Sequence, residues 1–263
     1  MKLHVVAPRQ GAVWVRRGFQ MLMRQPLGYA ALFATCLFAL LAFGLMPLLG
    51  SIAFSVLPIA ALLFMIASRR VEAGLAPLPG AFVEFGRSGR PVLVGLATLA
   101  VVCGLSVLGV LWIGNIIDGG ALEALQKSML AADELQAPPA DTALRSGLIA
   151  RLALLMLISV PAWHAPALVC WGGQSWFKAL VFSAVACWRN KAAFAVYAAC
   201  WLGVWMLMAM LVSLTVALVG QAHAAAVVVP LSLAFWTAVG ASLYFTFADC
   251  FEPVPLPPEA KPA

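Results

Sequence analysis

Few side chains in this 263-residue sequence are placed to do chemistry, and those few stand at the ends of long apolar runs. His164 lies between Pro161 and Pro166 in PAWHAP, Asp249 in YFTFADCFEP, and Arg189 and Asn190 side by side in ACWRNK. Brought together, these groups could hold a lipid phosphate on arginine while His164 or Asp249 moves a proton. The other use is structural. The two prolines free backbone carbonyls inside an apolar segment, and an imidazole can donate to such a carbonyl or to a neighbouring helix. Asp249 can tie span ends together by pairing with Arg69, Arg70 and Arg189, which emerge at its level. No second histidine or carboxylate at ligand spacing supports a metal, since His4 and His223 fall near opposite faces. Ser-His-Asp spacing, a Gly-rich phosphate loop and paired carboxylates are missing too, so no cofactor and no catalytic residue is implied.

The elements that would position these groups are plain. Apolar runs cover residues 27–46, 48–68, 91–117, 148–171, 192–219 and 224–248, and each meets the about 20 residues an α-helix needs to cross a bilayer. A composition with 64% hydrophobic and 10% charged residues excludes an ordinary water-soluble fold. With the N-terminus in the cytoplasm, Lys2, Arg9, Arg16, Arg17, Arg24, Arg69, Arg70, Arg87, Arg90, Lys178, Arg189, Lys191 and Lys261 fall inside and only Lys127, Arg145 and Arg151 outside. The expected architecture is therefore an all-α integral membrane protein of six transmembrane helices in the bacterial inner membrane, both termini cytoplasmic. All acidic residues are expected outside the spans, which argues against an ion-coupled pump, and Arg151 is expected to snorkel to the headgroups. The six cysteines lie in spans or at their cytoplasmic side, without CxxC, and imply no disulfide framework.

Between the runs lie short basic segments. Arg9, Arg16, Arg17 and Arg24 fall within an arc of about 100°, opposite Trp14, Val15, Phe19 and Leu22, as in a helix lying in the membrane interface. Residues 82–90, with Arg87 and Arg90, and 176–191, with Lys178, Arg189 and Lys191, repeat the pattern, each ahead of two spans. Residues 9–68, 78–171 and 173–248 thus read as three copies of one unit, interfacial helix plus hairpin; any six-span protein with basic inner loops reads similarly, and the residues leave both open. Residues 118–145 form an external loop, with Leu122, Leu125, Met129 and Leu130 on one helical stripe and a turn at APPAD. The Pro-rich stretch 251–263 is a cytoplasmic tail. Trp163, Trp171, Trp176, Phe177, Phe182 and Trp188 read either as an interfacial belt or as an apolar cleft that admits a lipid tail beside Lys178, Arg189 and Lys191.

KLHVVAPRQGAVWVRRGFQ at the start, WHAPALVCW at 163–171 and FSAVACWRNKAAFAVYAACW after it resemble a family of uncharacterised six-span inner-membrane proteins of Burkholderia-type beta-proteobacteria. More distantly, the helix-then-hairpin layout is similar to YciC-like proteins and to the membrane domain of some glycerophosphodiester phosphodiesterases. The resemblance implies an inner-membrane location and carries over no catalytic residue.

Together these features lead to the expectation of a non-enzymatic polytopic membrane protein. It would bind or organise anionic lipid, or support a membrane complex, through its basic interfacial helices. The partners expected are membrane lipids and another membrane protein or a second copy; nucleic acid is not expected, because the basic segments carry no reading motif. A facilitator of a lipid-like or apolar solute is the alternative, followed by a membrane-embedded enzyme acting on headgroups.

Overall fold

The computed structural model describes residues 2–44, 50–130 and 142–251, and the expectations for APPAD and for residues 252–263 fall outside the described residues. Eleven α-helices make up this part of the chain: α1 (Gln10–Arg24), α2 (Pro26–Gly44), α3 (Val56–Glu72), α4 (Gly80–Gly86), α5 (Arg90–Asp118), α6 (Ala121–Leu130), α7 (Thr142–Ala162), α8 (Ala165–Cys170), α9 (Trp176–Arg189), α10 (Lys191–Val219) and α11 (Gln221–Cys250). Six segments are long and apolar enough to cross a membrane: Pro26–Gly44, Ala53–Glu72, Arg90–Asp118, Thr142–Cys170, Lys191–Leu218 and Ala225–Cys250. A short 3-10 helix, Gly50–Ser55, leads into α3. Six crossings bring the start of α1 and the end of α11 to the same end of the bundle, the near end; α6 lies at the far end.

Prolines set the irregularities. Pro161 and Pro166 have no N–H to give the carbonyls four residues earlier, and the fourth span breaks between α7 and α8. Pro230 is carried inside α11 without a break.

α3 is the central helix, packed against α2, α4, α5, α8 and α11, and its residues Leu62 to Arg69 are all buried. α5 pairs with α7, and α10 with α11. The short helices dock in a cyclic order: α4 packs on α3, α9 on α7 and α8, and α1 on α10 and α11. Each therefore rests on the hairpin before it, with α1 resting on the last.

That docking corrects the expectation for α1. Trp14, Val15, Met21 and Leu22 are buried against protein, not sunk in lipid. Gly11 and Gly18, on the same face, make the close approach possible: a Cβ on Gly11 would collide with the Ala193 carbonyl, and one on Gly18 would lie 2.6 Å from the Ala238 carbonyl. A second correction concerns Asp118 and Arg151. Asp118 is not in the external loop but ends α5, buried, and Arg151 Nη1 donates to its Oδ2 at 2.5 Å instead of snorkelling. The pair is seated on glycines. Arg151 lies over Gly114, one turn before Asp118, and Asp118 lies over Gly147, one turn before Arg151.

Candidate functional site at the near end

Asp249 is one turn from Thr246 on α11 and reaches α1. Gln10 Nε2 donates to its Oδ2 at 2.5 Å and Trp14 Nε1 to the same oxygen at 2.7 Å, with Arg17 Nη1 4.0 Å from Oδ1. The partners expected for it lie elsewhere. Arg69 pairs with Glu84 of α4 and lays its guanidinium over the Trp171 ring, 4.7 Å from the centroid. Burial lifts the Glu84 carboxyl above its ordinary range, while Arg69 and Arg70 pull it back. Arg70 donates to the Ala76 carbonyl at 3.0 Å.

Asn190, at the corner between α9 and α10, clamps the start of the chain. Val6 N–H donates to Asn190 Oδ1 at 2.8 Å, and Asn190 Nδ2 donates to the carbonyls of His4 and Ala186, each at 3.0 Å. His4 N–H donates to the Cys250 carbonyl at 2.9 Å, and Leu3 forms an antiparallel bridge with Phe251. Phe251 is therefore packed structure, and the tail starts after it.

His164 is fully buried against Phe194, Phe247 and Phe251. Thr246 gives its one hydroxyl proton to the Leu243 carbonyl (2.8 Å) and accepts from Trp163 Nε1 (3.1 Å), so its remaining lone pair, 3.2 Å from His164 Nε2, accepts a proton carried there. Ser183 of α9 splices the break beside it. Its hydroxyl accepts from His164 N–H at 2.9 Å and donates to the Val160 carbonyl at 3.1 Å, the acceptor an unbroken helix would have given that N–H. His164, Asn190 and Asp249 are thus each engaged in a separate junction, and Arg189 points outward. They form no common site.

What the near end does present is positive charge. Arg9, Arg16, Arg24, Arg87, Arg90, Lys178, Arg189 and Lys191 are exposed and Arg17 is half-buried; of the acids at this end, Glu72 is exposed, while Glu84 and Asp249 turn inward to internal partners. Exposed apolar side chains stand among them: Met23 and Leu27, Phe82 and Val83, Phe177, Phe182 and Trp188. Trp163 and Trp171, read as part of an interfacial belt or of an apolar cleft, are partly buried and pack against the core. No cluster of three potential metal ligands occurs among the described residues.

No family model matches the chain, and no solved structure matches it. A protein of Burkholderia thailandensis described as a probable inner membrane protein is 33% identical to it over 258 residues, 95% of this chain and 94% of the relative. The chain belongs to that inner-membrane family. It is a six-span inner-membrane protein, and its charged near end lies where the spans leave the hydrocarbon.

In this inner-membrane protein the residues that sequence reasoning missed are the receivers. Thr246, Ser183, Gln10 and Glu84 complete the junctions of His164, Asp249 and Arg69. Gln10 to Asp249, at least, carried a signal: Gln10 and Trp14 are one turn apart on the face of α1 that turns away from Arg9 and Arg16.

Proposed function

We propose that this protein is a non-enzymatic organiser of anionic lipid, held with its near end in the cytoplasm, where the basic collar meets phosphate headgroups. The observation that carries the reading is the sorting of charge. Around the collar the arginines and lysines face out and outnumber the exposed Glu72, whereas Glu84 and Asp249 are spent on internal contacts. Each basic group beside an anionic surface adds about 1 kcal/mol of attraction, so a collar whose exposed cations outnumber its exposed Glu72 favours phosphatidylglycerol or cardiolipin over zwitterionic lipid. The engagement of His164 with Thr246, and of Asp249 with α1, speaks against acid–base work on a headgroup.

The cyclic docking supports reading residues 9–68, 78–171 and 173–248 as three copies of one unit about an axis along the membrane normal. Each copy then contributes one sector of the collar. Changing Arg9, Arg16 and Arg24 together to Gln tests the lipid reading. None of the three is used in the docking of α1, so the variant keeps its melting temperature. Anionic lipid co-purified in mild detergent drops severalfold; unchanged lipid content would contradict the reading.

A further inference from the structure

The three short helices do not meet the membrane alike. α1 spends its apolar face on α10 and α11 and leaves Ala12, Arg16, Gln20, Met23 and Arg24 outside, and α4 is a helix of seven residues. α9 differs. Its fourteen residues lie between the end of one span at Cys170 and the start of the next at Lys191, which places it at the boundary of the bilayer. At about 21 Å it is too short to cross. Its inner face, Ala179, Ser183, Ala186 and Cys187, is buried, and α9 packs on α7 and α8. At 3.6 residues per turn, Phe177, Val181, Val185 and Trp188 fall within an outward arc of about 80°, with Lys178 and Arg189 along one edge. The arc is bare of protein, Phe177 being 61% and Trp188 72% exposed.

We propose that this face of α9 is a seat for an anionic phospholipid, with acyl chain along Phe177, Val181 and Val185 and phosphate at Arg189 and Lys191. The proposal rests on the collar reading and names the helix that takes both halves of the lipid. Charge complementarity selects the occupant. No Asp or Glu occurs from Thr142 to Ala248, and Asp249 is occupied by Gln10 and Trp14, so the basic edge of α9 has no acidic neighbour along the chain to neutralise it. The Lys191 ammonium stands 5.0 Å above the Trp188 ring, joining the cationic end of the patch to its apolar stripe. A lipid at this level meets both surfaces at once, chain against stripe and phosphate against cations.

The test uses the full chain, purified in mild detergent from membranes containing phosphatidylglycerol, with bound lipid counted by native mass spectrometry. Changing Lys178, Arg189 and Lys191 to Gln lowers bound phosphatidylglycerol about tenfold or more. The exchange Lys178→Arg, Arg189→Lys and Lys191→Arg retains it. Changing Val181 and Val185 to Ser lowers it as well, and glycerophosphoglycerol, which has the headgroup without chains, does not displace it at millimolar concentration. Because all these side chains are exposed, melting temperature stays within a degree or two, and Arg189→Gln alone provides a milder variant with a partial loss. Full lipid retention in the Gln triple variant overturns the seat; if the Arg9, Arg16 and Arg24 variant still loses lipid, the collar reading survives without it, and if neither loses lipid both fail. Displacement by the soluble headgroup would also overturn the seat, since it would mean that phosphate alone is recognised.

Discussion

Asp118 and Arg151 form the charged contact most deeply committed to the fold. Asp118 Oδ1 also accepts from Gly120 N–H at 3.0 Å, but its one cationic partner is Arg151, and a lone charge in that position is costly. Replacing one partner, as in Asp118→Leu or Arg151→Met, is expected to cost about 3–5 kcal/mol, whereas the double variant recovers most of the loss. Unfolding midpoints in detergent would measure this, and a double variant as unstable as the two singles added would contradict the account. The pairing was hidden in the sequence for a physical reason. Hydropathy places a span boundary only within a few residues, and Asp118 falls on that margin, so it reads as loop until α5 is seen to run through it. His164 and Asn190 stood out because they interrupt apolar surroundings; their receivers, Thr246 and the backbone of residues 4 to 6, did not, because hydroxyls and carbonyls carry no distinctive spacing.

At the scale of elements, length and hydropathy made the six spans legible, and the arginine spacing made α1 legible as a helix with two unlike faces. What α1 packs against was not legible. Its receptor is formed by α10 and α11, almost two hundred residues later, and no local pattern encodes so distant a contact. The glycines were the readable trace: Gly11 and Gly18 are seven apart, two turns on one face, and bracket Trp14. Gly18→Leu would drive a side chain into the Ala238 carbonyl and Ser242 and is expected to cost about 1–3 kcal/mol or to release α1 outright. Trypsin should then cut at Arg16 and Arg17, which are protected when the helix is docked. Gly86→Ala is the control, since a Cβ there meets nothing within 4 Å. Continued protection of Arg16 and Arg17 in Gly18→Leu would mean that α1 does not depend on this contact.

For the whole molecule, the internal junctions and the collar share one end. Asp249 holds α1, Asn190 holds residues 4 to 6, Glu84 holds Arg69, and the exposed arginines and lysines face outward. The arrangement works as an anionic-lipid collar only if that end faces the cytoplasm, where the positive charge of the sequence places it. Cysteine labelling decides this directly. With the six native cysteines replaced, single cysteines are introduced at Ala73, between α3 and α4, and at Lys127 of α6, both exposed, and intact cells are treated with a membrane-impermeant maleimide. The account predicts labelling of Lys127→Cys in intact cells and of Ala73→Cys only after the membrane is opened; the reverse pattern would contradict it.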